Sequence, residues 1–370
     1  MFNLTLVVAG LKELVIEDLG GTLADATLFF SIETFAYILF APLWGVLSDR
    51  VGRRKIFIVI GLLASAAIYT AYGQVQTVET LLALRFVQGA FTVMAWSLVM
   101  AHAMDQPGVG GRGRYMGLLG ASLIFGVALG APVGGYLTRW LGPRAPLEAA
   151  AVLFGVLTLL SLLLRDSKTT REGARLREIA AGLRAQPRLL LPYGVHFIDR
   201  LAVGLFVVIF PLYLDSLGAS DPAVRGRFLS AFLVPFAFLQ FFTGRWVERV
   251  GPARPLIYGS LLYGMLLSTV GITPLHLLGP VMIGLGVLAA VMFPPAIVLT
   301  SALSDSTTRG SAVGGFNLAG SLGFAIGPIL GAWAYATEGF GFAFALSGAF
   351  EVALGIAAWW WLRGWRPATE

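Results

Sequence analysis

The chain contains no cysteine, and of its 370 residues only three are histidine. Charge is scarce too, at 12 % Asp, Glu, Lys and Arg, where soluble domains carry about 25 %. The missing cysteines exclude disulfides, thiol catalysis and cysteine-ligated metals. Three scattered histidines make no metal site. No glycine-rich phosphate loop of the Gly-Lys-Ser/Thr type is present, which argues against ATP as an energy source. No nucleophile–base pair stands out as the centre of an enzyme, and no cofactor is called for. The opening Met1–Gly10 has no basic segment, so no cleavable signal peptide is evident.

What the chain has is apolar length. Hydrophobic residues make up 57 %, and the mean hydropathy is +0.81. Runs of about 20 apolar residues, the length that crosses a bilayer, recur about twelve times. They lie near 1–19, 26–47, 56–73, 79–104, 115–137, 145–164, 189–215, 226–246, 255–274, 277–303, 312–336 and 341–362. The expected class is an all-α membrane protein with the lipid bilayer as its solvent.

The net charge of +6 invites a nucleic-acid reading, but the placement of the charges opposes it. If the spans alternate, one side carries loops 48–55, 105–114, 165–188, 245–254 and 304–311 and the C-terminus. Those segments hold nineteen of the 26 Lys and Arg, and the other side holds Arg139, Arg144, Arg225 and Arg227. Excess Lys and Arg marks cytoplasmic loops. Both termini are therefore expected in the cytoplasm, the home membrane being a bacterial inner membrane.

The chain also repeats. Gly45-Val46-Leu47-Ser48-Asp49-Arg50-Val51-Gly52-Arg53-Arg54 returns about 199 residues later as Gly244-Arg245-Trp246-Val247-Glu248-Arg249-Val250-Gly251. Arg112-Gly113 and Gly117 precede Arg309-Gly310 and Gly314 by a similar interval. Gly130-Ala131-Pro132 parallels Gly327-Pro328, and Leu19-Gly20 parallels Leu217-Gly218. Such duplication marks transporters built from parallel repeats. The expected organisation is a six-helix bundle over 1–164, a polar linker over 165–188, and a second bundle with a short cytoplasmic tail over 189–370. Leu176, Ile179, Ala180 and Leu183 recur at helical spacing. Residues 172–185 thus read either as an amphipathic helix on the cytoplasmic surface or as a solvated connection. Aligning Leu19 with Leu217 sets Met1 opposite Asp199, which leaves Leu189–Ile198 without an N-terminal counterpart. The expectation is an upstream start or a short first helix, which the intact mass of protein from the native locus tests.

The first copy of the loop resembles the signature Gly-x-x-x-Asp-Arg-x-Gly-Arg-Arg of the major facilitator superfamily at every position. The second departs from it, with Pro252 and Ala253 in place of the arginine pair. The resemblance implies two pseudo-symmetric six-helix bundles working by alternating access. It also implies a latch on the cytoplasmic side made by Gly45, Asp49, Arg50, Gly52, Arg53 and Arg54, with a weaker one at Glu248 and Arg249. Physically, a carboxylate such as Asp49 suits a helix N-terminus, and arginines offer planar forks to carboxylates and carbonyls. Topology alone is the competing account of the same charges.

Further elements carry the resemblance. Gly314, Gly323, Gly327, Pro328 and Gly331 in the eleventh span fit a Gly-x8-Gly-x3-Gly-Pro-x2-Gly pattern. Gly117, Gly126, Gly130, Pro132 and Gly135 in the fifth nearly fit it. The fifth-span pattern resembles an antiporter motif, and close packing between the halves is the plainer reading. Arg85, in Arg-x-x-Gln-Gly, resembles an element associated with proton coupling, or ties backbone carbonyls as a structural arginine. His196, Asp199 and Arg200 fall near the middle of the seventh span, where a carboxylate can load a proton or simply neutralise its neighbour. Glu33 with Lys12 and Glu13 is expected as a second charged cluster towards the outer side. Glu351 reads as structural.

The family resemblance assigns spans 1, 4, 7 and 10 to the cavity. The candidate lining is then Gln88, Phe91, Trp96, Phe206, Phe210, Met292 and Phe293, suited to apolar or amphipathic ligands. The expected function is proton-coupled efflux of hydrophobic or amphipathic small molecules, of the drug/proton antiporter type. Asp199 or Glu33 would be the carrier and Arg85 the tuning charge. Partners are a small-molecule substrate and protons, and a monomer suffices. The alternatives are a nutrient or metabolite symporter or uniporter, and a non-transporting receptor on the same scaffold.

Overall fold

The computed structural model describes residues 2–104, 112–164, 176–304 and 308–363, with the backbone alone at 103–104, 112–121, 124, 176–177, 241, 248, 309 and 310. All regular structure among the described residues is helical. Residues 165–175 of the expected linker lie outside them. The chain forms two compact units: Met1–Gly173 with Asp221–Gly226, and Ala174–Ser220 with Arg227–Glu370.

In the first unit the opening span is irregular. It runs as α1 (Phe2–Leu6), a 3₁₀ turn at Val8–Gly10 and a π-helical stretch at Glu13–Asp18. Then come α2 (Leu23–Val51), α3 (Arg54–Tyr72), α4 (Val78–Met104), α5 (Arg112–Leu141) and α6 (Ala145–Ser161). A capping box starts α2: the Asp25 amide donates to Thr22 Oγ1 at 3.3 Å, and the Thr22 amide to Asp25 Oδ2 at 2.7 Å. Gly52, at φ +70°, ends it. Most of these helices are apolar on every face, as helices between lipid and protein are. Small residues set their spacing. A Cβ at Gly61 would lie 2.8 Å from the Phe91 carbonyl of α4, and one at Gly89 2.8 Å from the Glu33 carbonyl of α2.

The second unit holds α7 (Leu176–Ala185), α8 (Leu190–Ser216), α9 (Pro222–Val250) from Arg227 onward, α10 (Ala253–Thr269), α11 (Leu275–Ala302) and α12 (Arg309–Leu362). The last is two spans in one run, broken at Glu338 (φ −141°, ψ 16°) and Gly339 (φ 82°, ψ −167°). Its first half packs on α8, its second on α10. Leu189, Leu191, Val195, Leu256, Leu299, Phe316 and Ala358 belong to one buried core cluster.

The duplication is written in the backbone. Among the described residues six adopt positive φ, all glycine, and they pair across the repeat: Gly20 with Gly218, Gly52 with Gly251, and Gly142 with Gly339. Each closes a turn that a side-chain-bearing residue would strain. Eight helices among the described residues are long and apolar enough to cross a membrane. Counting the break in α12, together with α5, α6 and the irregular N-terminal segment, gives the twelve expected spans.

Candidate functional site

Two buried polar clusters stand out, one in each unit. The first is built on Arg85 of α4, whose side chain is fully buried. Arg85 Nη2 meets Glu33 Oε2 of α2 at 2.6 Å. Its Nη1 donates to Gln88 Oε1 at 3.0 Å and to the Tyr69 hydroxyl at 3.3 Å, and its Nε to the Phe29 carbonyl at 3.2 Å. The guanidinium lies 4.0 Å from the Phe29 ring centroid. Glu33 Oε1 accepts from the Tyr37 hydroxyl at 2.8 Å and from Gln88 Nε2 at 3.1 Å. The network extends from Gln88 Nε2 to Thr92 at 2.6 Å, from Thr92 to Ser65 at 3.1 Å, and from Asn3 Nδ2 to Tyr69 at 2.9 Å.

This arrangement follows from the helices. Positions 85, 88 and 92 share one face of α4, and 33 and 37 one face of α2. Gly89 lets the backbones approach closely enough for the pair to meet. A buried pair with both carboxylate oxygens engaged persists, whereas removing one partner costs about 3–5 kcal/mol.

The second cluster lies on α8. Asp199 Oδ2 receives Arg200 Nε and Nη2, each at 2.8 Å, and His196 Nδ1 stands 4.0 Å away. The imidazole stacks on Phe316 of α12, centroids 4.0 Å apart. Phe293 of α11 approaches both His196 (5.7 Å) and the Arg200 guanidinium (5.2 Å). From Phe293 a run of ring contacts continues through Phe236, Phe232, Phe206 and Phe210. The first unit has its own run, Phe86, Phe40, Trp44 and Phe91, with Trp44 Nε1 on the Ala90 carbonyl at 2.8 Å.

Several sequence-derived candidates have other partners than expected. Glu33 does not cluster with Lys12 and Glu13: its bonds go to Arg85, Tyr37 and Gln88, while Lys12 Nζ pairs with Glu17 at 2.9 Å and Glu13 with Arg225. Glu13 and Asp18 of the first span are held by arginines far along the chain, Arg225 and Arg144, which spacing does not reveal. Gln88 is locked inside the network. Phe210 and Met292 are fully buried, while Phe91, Trp96, Phe206 and Phe293 are half-buried. The sequence reading missed Tyr37, Tyr69, Phe232, Phe236 and Phe316; the one-turn spacing of Tyr37 from Glu33 was the one available signal.

In the basic loop Arg54 is buried and pairs with Asp49 at 3.5 Å, while Arg50 and Arg53 are exposed. Arg249 is exposed, and the Glu248 side chain lies outside the described residues. The glycine stripes make close contacts with neighbouring backbones. Gly126 and Gly130 face Phe2 and Thr5 of α1, and Gly135 faces Pro222. Gly323, Gly327 and Gly331 face Phe197, Leu201 and Leu205 of α8, and Pro328 packs beside Gly204.

The family model described as Major Facilitator Superfamily matches residues 1–194 and again 192–370. A multidrug resistance protein, MdtG, of Klebsiella pneumoniae is 26 % identical over 376 residues, covering 96 % of this chain and 89 % of that protein. The class G tetracycline resistance protein of Vibrio anguillarum is 29 % identical over 248 residues, 63 % of this chain and 61 % of that protein. Among solved structures, a bacterial homologue of the human lysosomal transporter Spinster, inward-facing and occupied, superposes with a TM-score of 0.81. It is 14 % identical, and the match spans 99 % of this chain and 97 % of that one. The nucleoside transporter NupG gives 0.75 at 14 % identity, over 97 % of each chain.

Proposed function

Because the chain belongs to the major facilitator superfamily and is a multi-pass membrane transporter, we propose that it exports hydrophobic or amphipathic small molecules in exchange for protons. The observation that carries this reading is the Glu33–Arg85 pair, a buried carboxylate held by one cation and closed in by Tyr37 and Gln88. An intramembrane acid costs stability and is retained where it moves charge. When Arg85 is drawn away, Glu33 takes a proton in its place; when Arg85 returns, the proton leaves. The Phe40–Trp44–Phe91 run offers flat apolar faces on the same helices, and the multidrug and tetracycline resistance names of the relatives favour export.

In this reading the protein sits in a bacterial inner membrane with both termini cytoplasmic, works as a monomer, and uses the Asp49 loop as its cytoplasmic latch. The test is proteoliposomes under an imposed pH gradient, challenged in turn with ethidium, sugars and organic acids. Proton release on adding ethidium, lost in Glu33→Gln, is the expected result. Release with sugars alone would move the assignment to a metabolite symporter. Substrate flux with no proton signal would make it a uniporter.

A further inference from the structure

Beside Glu33 and Asp199, the third buried acid among the described residues is Glu351. It stands in the second half of α12, fully buried, and neither carboxylate oxygen has a hydrogen-bond partner. It packs on α10 at Gly264, where an added Cβ would lie 2.9 Å from that of Glu351. Ser347, one turn before it on α12, and Ser260, one turn before Gly264 on α10, are also buried with unpartnered hydroxyls. The groups within electrostatic range are Asp199 and Arg200 from α8 and Tyr263 from α10.

The charges do not balance. Arg200 supplies one positive charge, and Asp199 takes it through two N–H contacts on a single oxygen. Glu351 would add a second negative charge with no donor, in surroundings where an unpaired ion is strongly disfavoured. One bound proton restores neutrality, and the hydrogen bonding puts it on Glu351 rather than Asp199. The first unit shows the contrast. There one carboxylate, Glu33, faces one cation, Arg85, with every oxygen engaged, and the pair is neutral with no proton bound.

We propose that Glu351 is a proton-binding site of the second unit, exchanging one proton with Asp199 as Arg200 changes partner. The step balances: the Glu351 carboxyl gives its proton to the Asp199 carboxylate, and Arg200 leaves Asp199 to pair with the new Glu351 carboxylate. The transport consequence rests on the proton-exchange reading above; the site itself does not.

Infrared difference spectroscopy of the full chain in proteoliposomes, on a step from acid to alkaline buffer, reads the site without substrate. Wild type should show the carbonyl band of a buried protonated carboxyl group that falls on the step. The band should be absent in Glu351→Gln, shifted in Glu351→Asp and retained in Glu33→Gln. No such band in wild type, a band that survives Glu351→Gln, or one indifferent to the pH step each overturns the proposal. In the same vesicles, ethidium-driven proton release should fall at least twofold in Glu351→Gln with ethidium binding kept; unchanged release rules out a transport role. If wild type releases no protons yet its band responds, proton-coupled export fails while the proton site stands.

Discussion

Glu33 and Arg85 lie 52 residues apart, and what joins them is that both side chains are buried. Arg85 has five N–H donors to satisfy and finds a carboxylate, an amide, a phenol and a carbonyl. Such a pair is held by mutual need more than by net stabilisation. Arg85→Gln alone should therefore destabilise the protein by about 3–5 kcal/mol, because it leaves Glu33 buried without its cation. The double variant Glu33→Gln with Arg85→Gln should recover much of that loss, read as the unfolding midpoint in detergent. Equal losses in single and double variants would mean that the two residues do not depend on each other. Both residues were legible in the sequence as charges inside apolar runs. Their pairing was not, because a charge in a span announces a partner but not its address. Tyr37 and Tyr69 were silent for another reason: a tyrosine in a span reads as bulk until its hydroxyl is seen to be bonded.

The helices themselves were the most legible feature, since length and hydropathy define them whatever they pack against. The glycine stripes were legible as stripes, but their partners were not: Gly126 and Gly130 meet α1, Gly135 meets Pro222, and Gly323, Gly327 and Gly331 meet α8. Gly327→Ala should cost about 1–3 kcal/mol, because the added Cβ would stand 2.9 Å from the Leu205 amide and would press on the Leu201 carbonyl. Gly155→Ala, with no atom within 4 Å, is the control and should leave the folded yield unchanged in size-exclusion profiles. A tolerant Gly327 would mean that the α8–α12 contact is looser than described. For the basic loop, Asp49→Asn should slow turnover several-fold with normal insertion. Arg54, buried at the mouth of α3, pairs with Asp49, and unaltered ethidium flux in this variant would retire the latch.

At the scale of the whole molecule, the duplication was readable in motifs and is confirmed by paired left-handed glycines about 198 residues apart. Gly142 and Gly339 escaped the sequence reading because their surroundings share no motif; only the backbone matches. The proposed orientation rests on where Lys and Arg lie, and the cysteine-free sequence makes it easy to test. Gln186→Cys, after α7, should react with an impermeant maleimide only when the cytoplasmic face is open to it. Gln76→Cys, in the exposed turn between α3 and α4, should react in intact cells. The reverse pattern would invert the topology.

The most direct test of the central claim separates movement from coupling. In proteoliposomes, wild type should concentrate ethidium against its gradient when a pH gradient is imposed, and should also exchange labelled for unlabelled ethidium without one. Glu33→Gln should keep the exchange and lose the concentration, because the protein still cycles but no proton is carried. Concentration of ethidium by Glu33→Gln at the wild-type level would contradict the account.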